Sequence, residues 1–396
     1  MAAVNGDGAV DLHISRTPSQ GGLLQTLPAG ARSLRRMDRR PRFGLSPYQT
    51  YLTCRTQLRA RAFQGRTMTL RNEMITVFGA SGFIGRYVVR ELAKAGYRVR
   101  AATRRPHLAH ELKPMGVVGQ VQLMQANLRN EDSVRRAVDG AHAVVNLVGI
   151  LSESGKQNFQ SLQADGAGLV AKCAAEAGIT NFVQISAIGA DEDSKSEYAR
   201  TKAAGEKAVR EHIPSAVVLR PSIVFGMEDG FFNKFGSMAR FVPALPLIGG
   251  GQTRFQPIFA GDVAECVLKA VDAPTKYAGR TFELGGPSTY SFKELMEFIL
   301  TTIRRKRLLV PVPFFAAYPL GMVGEILGAL PFVQPFLTRD QVTLLKSDNV
   351  VGETDEDLGA TADFGIDLET VEAITPTYLA RYRKGGQFSE DPELIS

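Results

Sequence analysis

The chain has 396 residues, of which 44% are hydrophobic and 22% are charged, a composition typical of a folded protein with a sizeable core. Its formal net charge of +7 is concentrated in residues 1–72, which hold twelve arginines against three aspartates, so the rest of the chain is slightly acidic. A globular nucleic-acid-binding domain needs a basic face on its folded part, and this distribution therefore argues against that class.

The three cysteines, Cys54, Cys173 and Cys266, are far apart and in no paired spacing. This pattern argues against a disulfide framework and for a reducing compartment, and so against a secreted protein. The five histidines form no ligand cluster with the cysteines. We therefore expect no metal site.

Residues 1–70 form a basic leader without sustained apolar periodicity. The run RSLRRMDRRPRFG is rich in arginine and poor in acids, as in a mitochondrial targeting peptide. Such peptides usually carry their basic helix near the start. In this chain Arg16 is the only arginine or lysine in residues 1–30. A disordered leader, or a reading frame that starts at Met68 or Met74, remains the alternative.

From Met74 onward, strand-like apolar runs alternate with segments of helical periodicity. The strand-like runs are MITVFG, YRVRAAT, VQLMQA, AVVNLVG, NFVQIS and AVVLRPSIVFG. About six alternations in residues 74–225 predict an α/β fold, a Rossmann-type doubly wound parallel sheet with helices on both faces. We assign residues 71–225 to an NAD(P)-binding Rossmann domain.

The alternation ends at Gly226, and residues 226–346 mix Pro- and Gly-rich loops with separate helices. We predict a smaller C-terminal α/β lobe here, partly interleaved with the sheet, that covers the carboxyl ends of the strands and receives a substrate or partner. Residues 347–396 are predicted to be a C-terminal tail, and its final stretch KGGQFSEDPELIS is typical of disorder.

Residues 308–337 are almost wholly apolar, with Glu325 as their only charge. Five prolines interrupt the run and argue against a membrane-spanning helix, which needs about 20 uninterrupted apolar residues. Two interpretations remain. The segment is a hydrophobic helix packed in the lobe, or an apolar surface that rests on a membrane or a partner subunit.

The stretch VFGASGFIGR places Gly79, Gly82 and Gly85 between the first predicted strand and the first helix. Gly79 permits a sharp turn, Gly82 a close approach of the backbone to a phosphate, and Gly85 the packing of the helix on the strand. Free N–H groups at the helix N-terminus then face the anion. We therefore expect the amides around Ser81 to hold a dinucleotide pyrophosphate.

The second predicted strand ends in Thr103, Arg104 and Arg105, where an NAD site would carry an acidic residue for the ribose. Two guanidiniums suit a 2′-phosphate, so we predict NADP(H) in preference to NAD(H). The alternative is that one of these arginines is only a solvated surface charge.

Tyr198 and Lys202 are four residues apart in SEYARTK and so share one face of the predicted helix. A neighbouring ammonium favours the phenolate and brings the tyrosine toward the working range of a proton donor or base. Ser186 ends the preceding strand, at the edge where the crevice should lie, and its hydroxyl can hold a substrate carbonyl. These three residues are the candidate catalytic set.

Together with ANL, NLVGIL, ISAIGA, LRPSIVFG and FQPIFAGDVA, these motifs make residues 74–346 resemble the short-chain dehydrogenase/reductase superfamily of extended or atypical type. The combination of NLVGIL, YARTKAAGEKAVRE and RPSIVFGMEDGFFNKF is most similar to one branch, the nucleotide-binding accessory subunit of respiratory complex I and its bacterial relatives. The resemblance implies a tightly held NADPH and complex I subunits as partners.

The same resemblance implies a peripheral location, on the matrix side of the mitochondrial inner membrane or the cytoplasmic side of a bacterial inner membrane. Residues 308–337 are then the segment expected to contact that membrane.

The resemblance also implies a set of residues that line the cofactor. They are Gly79, Ser81, Gly82, Phe83, Ile84 and Gly85 at the pyrophosphate, Arg104 and Arg105 at the adenosine phosphate, Asn127 and Leu128 by the adenine, Gly149 under the cofactor, Lys202 at the nicotinamide ribose, and Pro221 and Ile223 beside the ring. The superfamily usually has aspartate where this chain has Asn127. Many active members have a second hydroxyl residue where Ser186 is followed by alanine.

Three functions remain open at this point. The first is an accessory subunit of NADH:ubiquinone oxidoreductase, in which bound NADPH stabilises the fold. The second is a free-standing NADPH-dependent oxidoreductase or epimerase, with ubiquinone biosynthesis as one setting, in which Tyr198 and Lys202 act on a substrate. The third is a redox sensor that binds oxidised and reduced cofactor with different affinities. Members of the complex I branch keep the tyrosine and lysine without known turnover, so an intact dyad does not establish an enzyme.

Overall fold

The fold is built on a parallel sheet that runs through most of the chain. The structure is a computed structural model, and it describes residues 70–151, 153, 158–328, 337–352 and 358–386. Apart from Leu70, the predicted leader lies outside the described residues, as do residues 387–396 of the predicted tail.

The strands of the described part of the chain are numbered in chain order. They are β1 Met74–Phe78, β2 Arg98–Thr103, β3 Val121–Gln125, β4 Ala143–Asn146, β5 Phe182–Ile185, β6 Val217–Pro221, β7 Val224–Phe225, β8 Ala244–Ile248, β9 Arg254–Phe255, β10 Ile258–Phe259, β11 Thr281–Leu284, β12 Tyr290–Ser291, β13 Leu308–Val312 and β14 Gly359–Ala360.

The α-helices of the same part are numbered likewise. They are α1 Phe83–Lys94, α2 Glu131–Val138, α3 Asp165–Glu176, α4 Glu197–His212, α5 Phe232–Phe241, α6 Ala260–Asp272, α7 Pro274–Tyr277, α8 Phe292–Thr302, α9 Phe314–Gly328, α10 Arg339–Leu344 and α11 Val371–Leu379.

Eight strands form one sheet in the order β14-β11-β6-β5-β4-β1-β2-β3, and all its pairings are parallel. The chain moves outward from β1 to β3, returns to β4 on the other side of β1, and then continues through β5 and β6. The strand order thus reverses between β1 and β4, which opens a crevice at their carboxyl ends. The predicted α/β, doubly wound fold is confirmed.

The strands are apolar on both sides because both faces of the sheet are covered by helices. All five residues of β1 are buried. Ile75 and Val77 pack into a core that includes residues of α1 and α6. Phe78 points to the opposite core, which α2, α3 and α4 complete. Because successive side chains of a strand point to opposite faces, β1 contributes residues to two separate hydrophobic layers.

Beyond β7 a third hydrophobic core forms around aromatic residues of α5 and α8. The pairs β8–β13 and β9–β12 belong to this region, which corresponds to the predicted lobe. The division into domains stays a prediction, because β11, from the segment predicted as lobe, and β14, from the segment predicted as tail, extend the central sheet at its β6 edge.

Residues 358–386 carry regular structure that the sequence pattern did not predict. The strand β14 is only two residues long, and a Cβ on Gly359 would lie 2.3 Å from the ring of Phe282, so glycine is needed for the pairing. The helix α11 contains Pro376, which weakened its helical signal, but Val371 and Leu379 are buried in the third core. Tertiary contacts therefore order a segment without a clear local pattern.

The apolar segment 308–337 divides into the strand β13 and the helix α9, with residues 329–336 outside the described part. Both interpretations of this segment have a basis in the structure. Ala317 is fully buried, whereas Phe315 is 82% exposed and Leu308 is 71% exposed. No helix in the described part of the chain has the length and apolar character that crossing a bilayer requires.

Three helices end in the same backbone motif. After α1, α3 and α8, one residue adopts a positive φ, its N–H donates to the carbonyl three residues back, and the next N–H donates five residues back. The residue with positive φ is Gly96 after α1 (φ 92°), Gly178 after α3 (φ 75°) and Arg304 after α8 (φ 53°). A side chain in this conformation costs about 1–2 kcal/mol, so Arg304 occupies a strained position that glycine fills in the other two.

We expect Arg304→Gly to raise the free energy of unfolding by about 0.5–1 kcal/mol, because glycine relieves the Cβ strain at positive φ. The matched change Gly178→Ala should lower it by about 1 kcal/mol. Urea denaturation at equilibrium measures both. A loss of stability in Arg304→Gly would show that contacts of the arginine side chain outweigh the strain.

Candidate functional site

The glycine turn between β1 and α1 has the shape of an anion cradle. Gly79 has φ 78°, and a Cβ there would lie 3.2 Å from the backbone of Leu147 in the loop after β4. A Cβ on Gly85 would lie 2.3 Å from the carbonyl oxygen of Gly79. Both positions therefore require glycine. Gly82 caps α1 without a side-chain hydrogen bond, and the first turn carries no acidic residue, so its N–H groups are available to an anion.

The end of β2 lies beside this turn. The hydroxyls of Ser81 and Thr103 are 3.0 Å apart, which is a hydrogen bond between the turn and the last residue of β2. Arg104 and Arg105 follow directly, and both are exposed. Neither guanidinium forms an ion pair with a described residue. Two exposed cations therefore directly follow β2, next to the glycine turn.

Asn127 and Leu128 lie in the turn after β3 but differ in environment. The Asn127 Oδ1 accepts from the Arg129 amide at 3.2 Å, a bond that an aspartate would make equally well. The Leu128 side chain is 7% exposed and packs against Gly166 of α3. The Leu128 side chain therefore contributes to core packing.

Lys202 lies in the interior, between the ends of β4 and β5. It is 6% exposed, and its Nζ donates to the carbonyl of Ile185 at 3.4 Å. A Cβ on Gly149 would lie 3.0 Å from this Nζ, so glycine makes room for the ammonium. Burial lowers the pKa of Lys202 to about 8, against the opposing influence of Glu206 one turn further along α4.

Tyr198 and Ser186 lie near this ammonium. The Lys202 Nζ is 5.8 Å from the centroid of the Tyr198 ring. The rings of Tyr198 and Phe159 meet edge to face, with their centroids 5.9 Å apart. Burial, and second the charge of Asp340, raise the pKa of Tyr198 to about 12. Ser186 is 4% exposed, and its Oγ has no hydrogen-bond partner among the described residues. A buried hydroxyl without a partner fits a site built for a ligand.

Pro221 and Ile223 bring the end of β6 to the same edge of the sheet. Pro221 is the last residue of β6, and the Ile223 carbonyl accepts from the amide of Ile258 at 2.9 Å. The loop then passes over α1, where a Cβ on Gly226 would lie 3.0 Å from the Phe83 ring. The Phe83 side chain therefore supports this loop, while its backbone belongs to the first turn of α1.

Ile84 is partly buried against the core beneath α1. Its side chain therefore contributes to the packing of α1 on the sheet.

Sequence reasoning missed two polar residues that hold the crevice. Asn146, at the end of β4, donates to Gln184 at 2.9 Å and accepts from the amide of Val148 at 3.2 Å. Gln163 is 2% exposed and donates to the carbonyl of Ile150 at 2.8 Å. The signal for Asn146 was a polar residue that ends an apolar strand. Gln163 lies in a π-helical turn, Gln160–Ala164, which no local pattern announces.

Comparisons with known proteins identify the family to which the chain is similar. The model of the NAD dependent epimerase/dehydratase family matches residues 75–285. A mitochondrial protein of Arabidopsis thaliana, NADH dehydrogenase [ubiquinone] 1 alpha subcomplex subunit 9, is 35% identical over 83% of this chain and 82% of its own. The protein of the same name from Mus musculus is 32% identical over 81% of this chain and 83% of its own.

Among solved structures, the NADPH-dependent quinone oxidoreductase QOR2 of Escherichia coli, complexed with NADPH, has a similar fold. Its TM-score is 0.60 at 18% identity, over 77% of this chain and 99% of that one. The chain belongs to the NAD dependent epimerase/dehydratase family, in the branch of the two mitochondrial subunits. The predicted family resemblance is therefore confirmed.

The buried ammonium predicts a pH dependence of stability. Lys202 has a folded pKa of about 8 against its ordinary 10.5, so between these values the unfolded chain binds the proton that the folded protein has lost. Stability then rises with pH across this range, and the gain is lost as pH falls through 8. Between pH 8 and 10.5 the free energy of unfolding of the nucleotide-free protein should rise by up to about 3 kcal/mol more than that of Lys202→Met.

Urea denaturation between pH 7.5 and 10 measures this difference. The exposed Lys195, three residues before Tyr198, provides the control, because Lys195→Met should leave the pH dependence unchanged. Parallel curves for the unmodified protein and Lys202→Met would contradict a pKa lowered by burial.

Proposed function

We propose that this protein is an accessory subunit of mitochondrial NADH:ubiquinone oxidoreductase and holds NADPH as a resident ligand. The observation that carries the proposal is 32–35% identity, over more than four fifths of the chain, to proteins that bear the name of such a subunit. The family match and the glycine turn support the nucleotide.

In this proposal different residues at the carboxyl edge of the sheet bind different parts of the cofactor. The amides from Gly79 to Gly85 hold the pyrophosphate, and the two arginines after β2 hold the 2′-phosphate. Lys202 reaches the ribose of the nicotinamide, whose hydroxyls accept hydrogen bonds from its buried ammonium. Bound NADPH supplies a hydride donor, whereas the protein groups bind it and exclude water.

The electrostatics of the dyad support holding over turnover. Burial favours the neutral form of both Tyr198 and Lys202, so near neutral pH the phenol keeps its proton. A nucleotide that binds only the folded state stabilises it by about 4 kcal/mol when its concentration is about a thousand times its dissociation constant. Such a contribution gives a resident NADPH a structural purpose.

We expect the purified protein to contain NADPH, and the double change Arg104→Ala with Arg105→Ala to weaken NADPH binding at least about tenfold. The reason is the loss of charge-assisted hydrogen bonds to the 2′-phosphate, which NADH lacks, so NADH affinity should change little. Calorimetric titration of the nucleotide-stripped protein measures both affinities. Arg136→Ala, on the exposed face of α2, is the control.

Equal losses for NADH and NADPH would place the two arginines outside the phosphate site. A stripped protein that binds neither nucleotide at millimolar concentration would overturn the cofactor assignment itself.

We also propose that the protein contacts the inner membrane on its matrix side through the exposed apolar segment, residues 308–322. Leu308, Phe315 and Leu320 are each more than half exposed. Residues 304–307 are all basic, and no acidic residue occurs between positions 303 and 324. Exposed apolar side chains beside an excess of positive charge suit an anionic lipid surface.

Extraction with a mild detergent, followed by separation by size, tests assembly, and sedimentation of the purified protein with anionic lipid vesicles tests attachment. The unmodified protein should comigrate with NADH:ubiquinone oxidoreductase and sediment with the vesicles. Leu308→Ser with Phe315→Ser should lower the sedimenting fraction without loss of NADPH, because these side chains are far more exposed than core residues. Val118→Ser, another exposed apolar residue, should have no effect. A small soluble peak for the unmodified protein would contradict the proposed assembly.

A second candidate function is a free-standing NADPH-dependent oxidoreductase or epimerase. The observation that favours it is the unpartnered Ser186 hydroxyl in the crevice that also holds Tyr198 and Lys202. This alternative requires oxidation of NADPH by an added quinone or carbonyl compound, and loss of that turnover in Tyr198→Phe with cofactor affinity retained.

A further inference from the structure

A carboxylate from a distant part of the chain meets the N-terminus of α4. Asp340, in the first turn of α10, accepts from the Ser196 hydroxyl at 2.8 Å with Oδ2 and from the Glu197 amide at 2.8 Å with Oδ1. Ser196 is 1% exposed and is the N-cap residue of α4, where its hydroxyl also accepts from the amide of Ala199 at 3.3 Å. One side chain thus fixes both the cap and the first amide of the helix.

This helix start sets the place of Tyr198, which is the second residue of α4. The Tyr198 hydroxyl forms no hydrogen bond with a described residue, so its ring is held by its own backbone and by the edge contact with Phe159. Lys202 follows one turn later. A change in the first turn of α4 would therefore move the phenol relative to the ammonium.

Asp340 is itself held firmly. The Arg339 amide and Nε donate to the two oxygens of Glu325 at 2.8 and 2.7 Å. A Cβ on Gly321 would lie 2.9 Å from the Arg339 nitrogen, and one on Gly324 would lie 2.2 Å from the Leu337 oxygen. The backbone before α10 therefore lies directly on α9. Asp340 thus fastens the helix of Tyr198 to the helix of the exposed apolar segment.

The charged groups around the phenol can be named from each element that packs against it. Lys202 faces the ring from α4, and Asp340 lies at the helix start. On the side of Phe159, the Glu153 carboxylate accepts from the Phe159 amide at 2.8 Å. Burial and the Asp340 charge act together to raise the pKa of Tyr198 to about 12.

We propose that Asp340 is a positioning residue for the nucleotide crevice, which fixes the first turn of α4 and with it the place of the Tyr198 phenol. The proposal rests on the proposed function only in taking this crevice as the nucleotide site. The contacts of Asp340 are independent of any ligand.

The test is fluorine NMR of the full chain with 3-fluorotyrosine in place of tyrosine. Fluorination lowers the phenol pKa, which brings the titration into a pH range that the fold survives. The Tyr198 resonance is identified by its absence in Tyr198→Phe. In Asp340→Asn its titration midpoint should fall by about one pH unit, because a nearby negative charge is lost. The other tyrosine midpoints should stay.

Asp340→Glu should keep the midpoint near that of the unmodified protein, because the charge is retained. Asp363→Asn is the matched control, since Asp363 also accepts from a backbone amide, that of Ala360 at 3.1 Å, but belongs to the edge of the sheet at β14. An unchanged midpoint in Asp340→Asn, or an equal change in Asp363→Asn, would overturn the proposal.

Ser196→Ala provides a second test if Asp340→Asn does not fold. It removes the hydroxyl half of the contact and leaves the charge, so the Tyr198 resonance should shift at neutral pH, and its midpoint should change less than in Asp340→Asn. A resonance that does not move would overturn the positioning. NADPH content is measured on the same samples, and its absence from the unmodified protein would contradict the proposed function without affecting the titration.

Discussion

The close contact between the start of α1 and the glycine turn is the constraint on which the site depends. Because Gly85 has no Cβ, the helix begins directly against the carbonyl of Gly79, and its first N–H groups face the crevice. The other candidate binding groups lie near the carboxyl ends of parallel strands, because the two arginines follow β2 and the Lys202 ammonium donates to the carbonyl of Ile185 at the end of β5. In a doubly wound sheet those ends lie along one edge, so the arginines after β2 and Lys202 below β5 can serve one extended ligand.

Polar groups buried beneath this edge keep the loops in place. Asn146 and Gln163 each hold a loop backbone, and the ammonium of Lys202 fills the space left by Gly149. Burial gives these bonds their strength but also favours neutral forms of the titratable groups. The protein therefore keeps the residue types of a reductase in an environment that opposes ionisation of Tyr198. That combination supports a ligand-holding role.

The small lobe is connected to the sheet at several distant points. The strands β11 and β14 extend the sheet beyond β6, and Asp340 accepts a hydrogen bond from the first amide of α4. Part of the exposed apolar segment belongs to α9. Glu325 of the same helix accepts a hydrogen bond from Arg339, the residue before Asp340. Hydrogen bonds therefore connect α9 through α10 to α4, the helix that carries Tyr198.

The sequence by itself determined the sheet and the nucleotide turn, because short apolar runs, helical periodicity and glycine spacing are local features of the chain. It also placed Tyr198 and Lys202 on one helical face. Only the tertiary structure decided that β14 and α11 form, that Leu128 and Ile84 serve the core, and that Asp340 caps the tyrosine helix. These outcomes depend on contacts between residues that are distant in the chain, and no local pattern records such contacts.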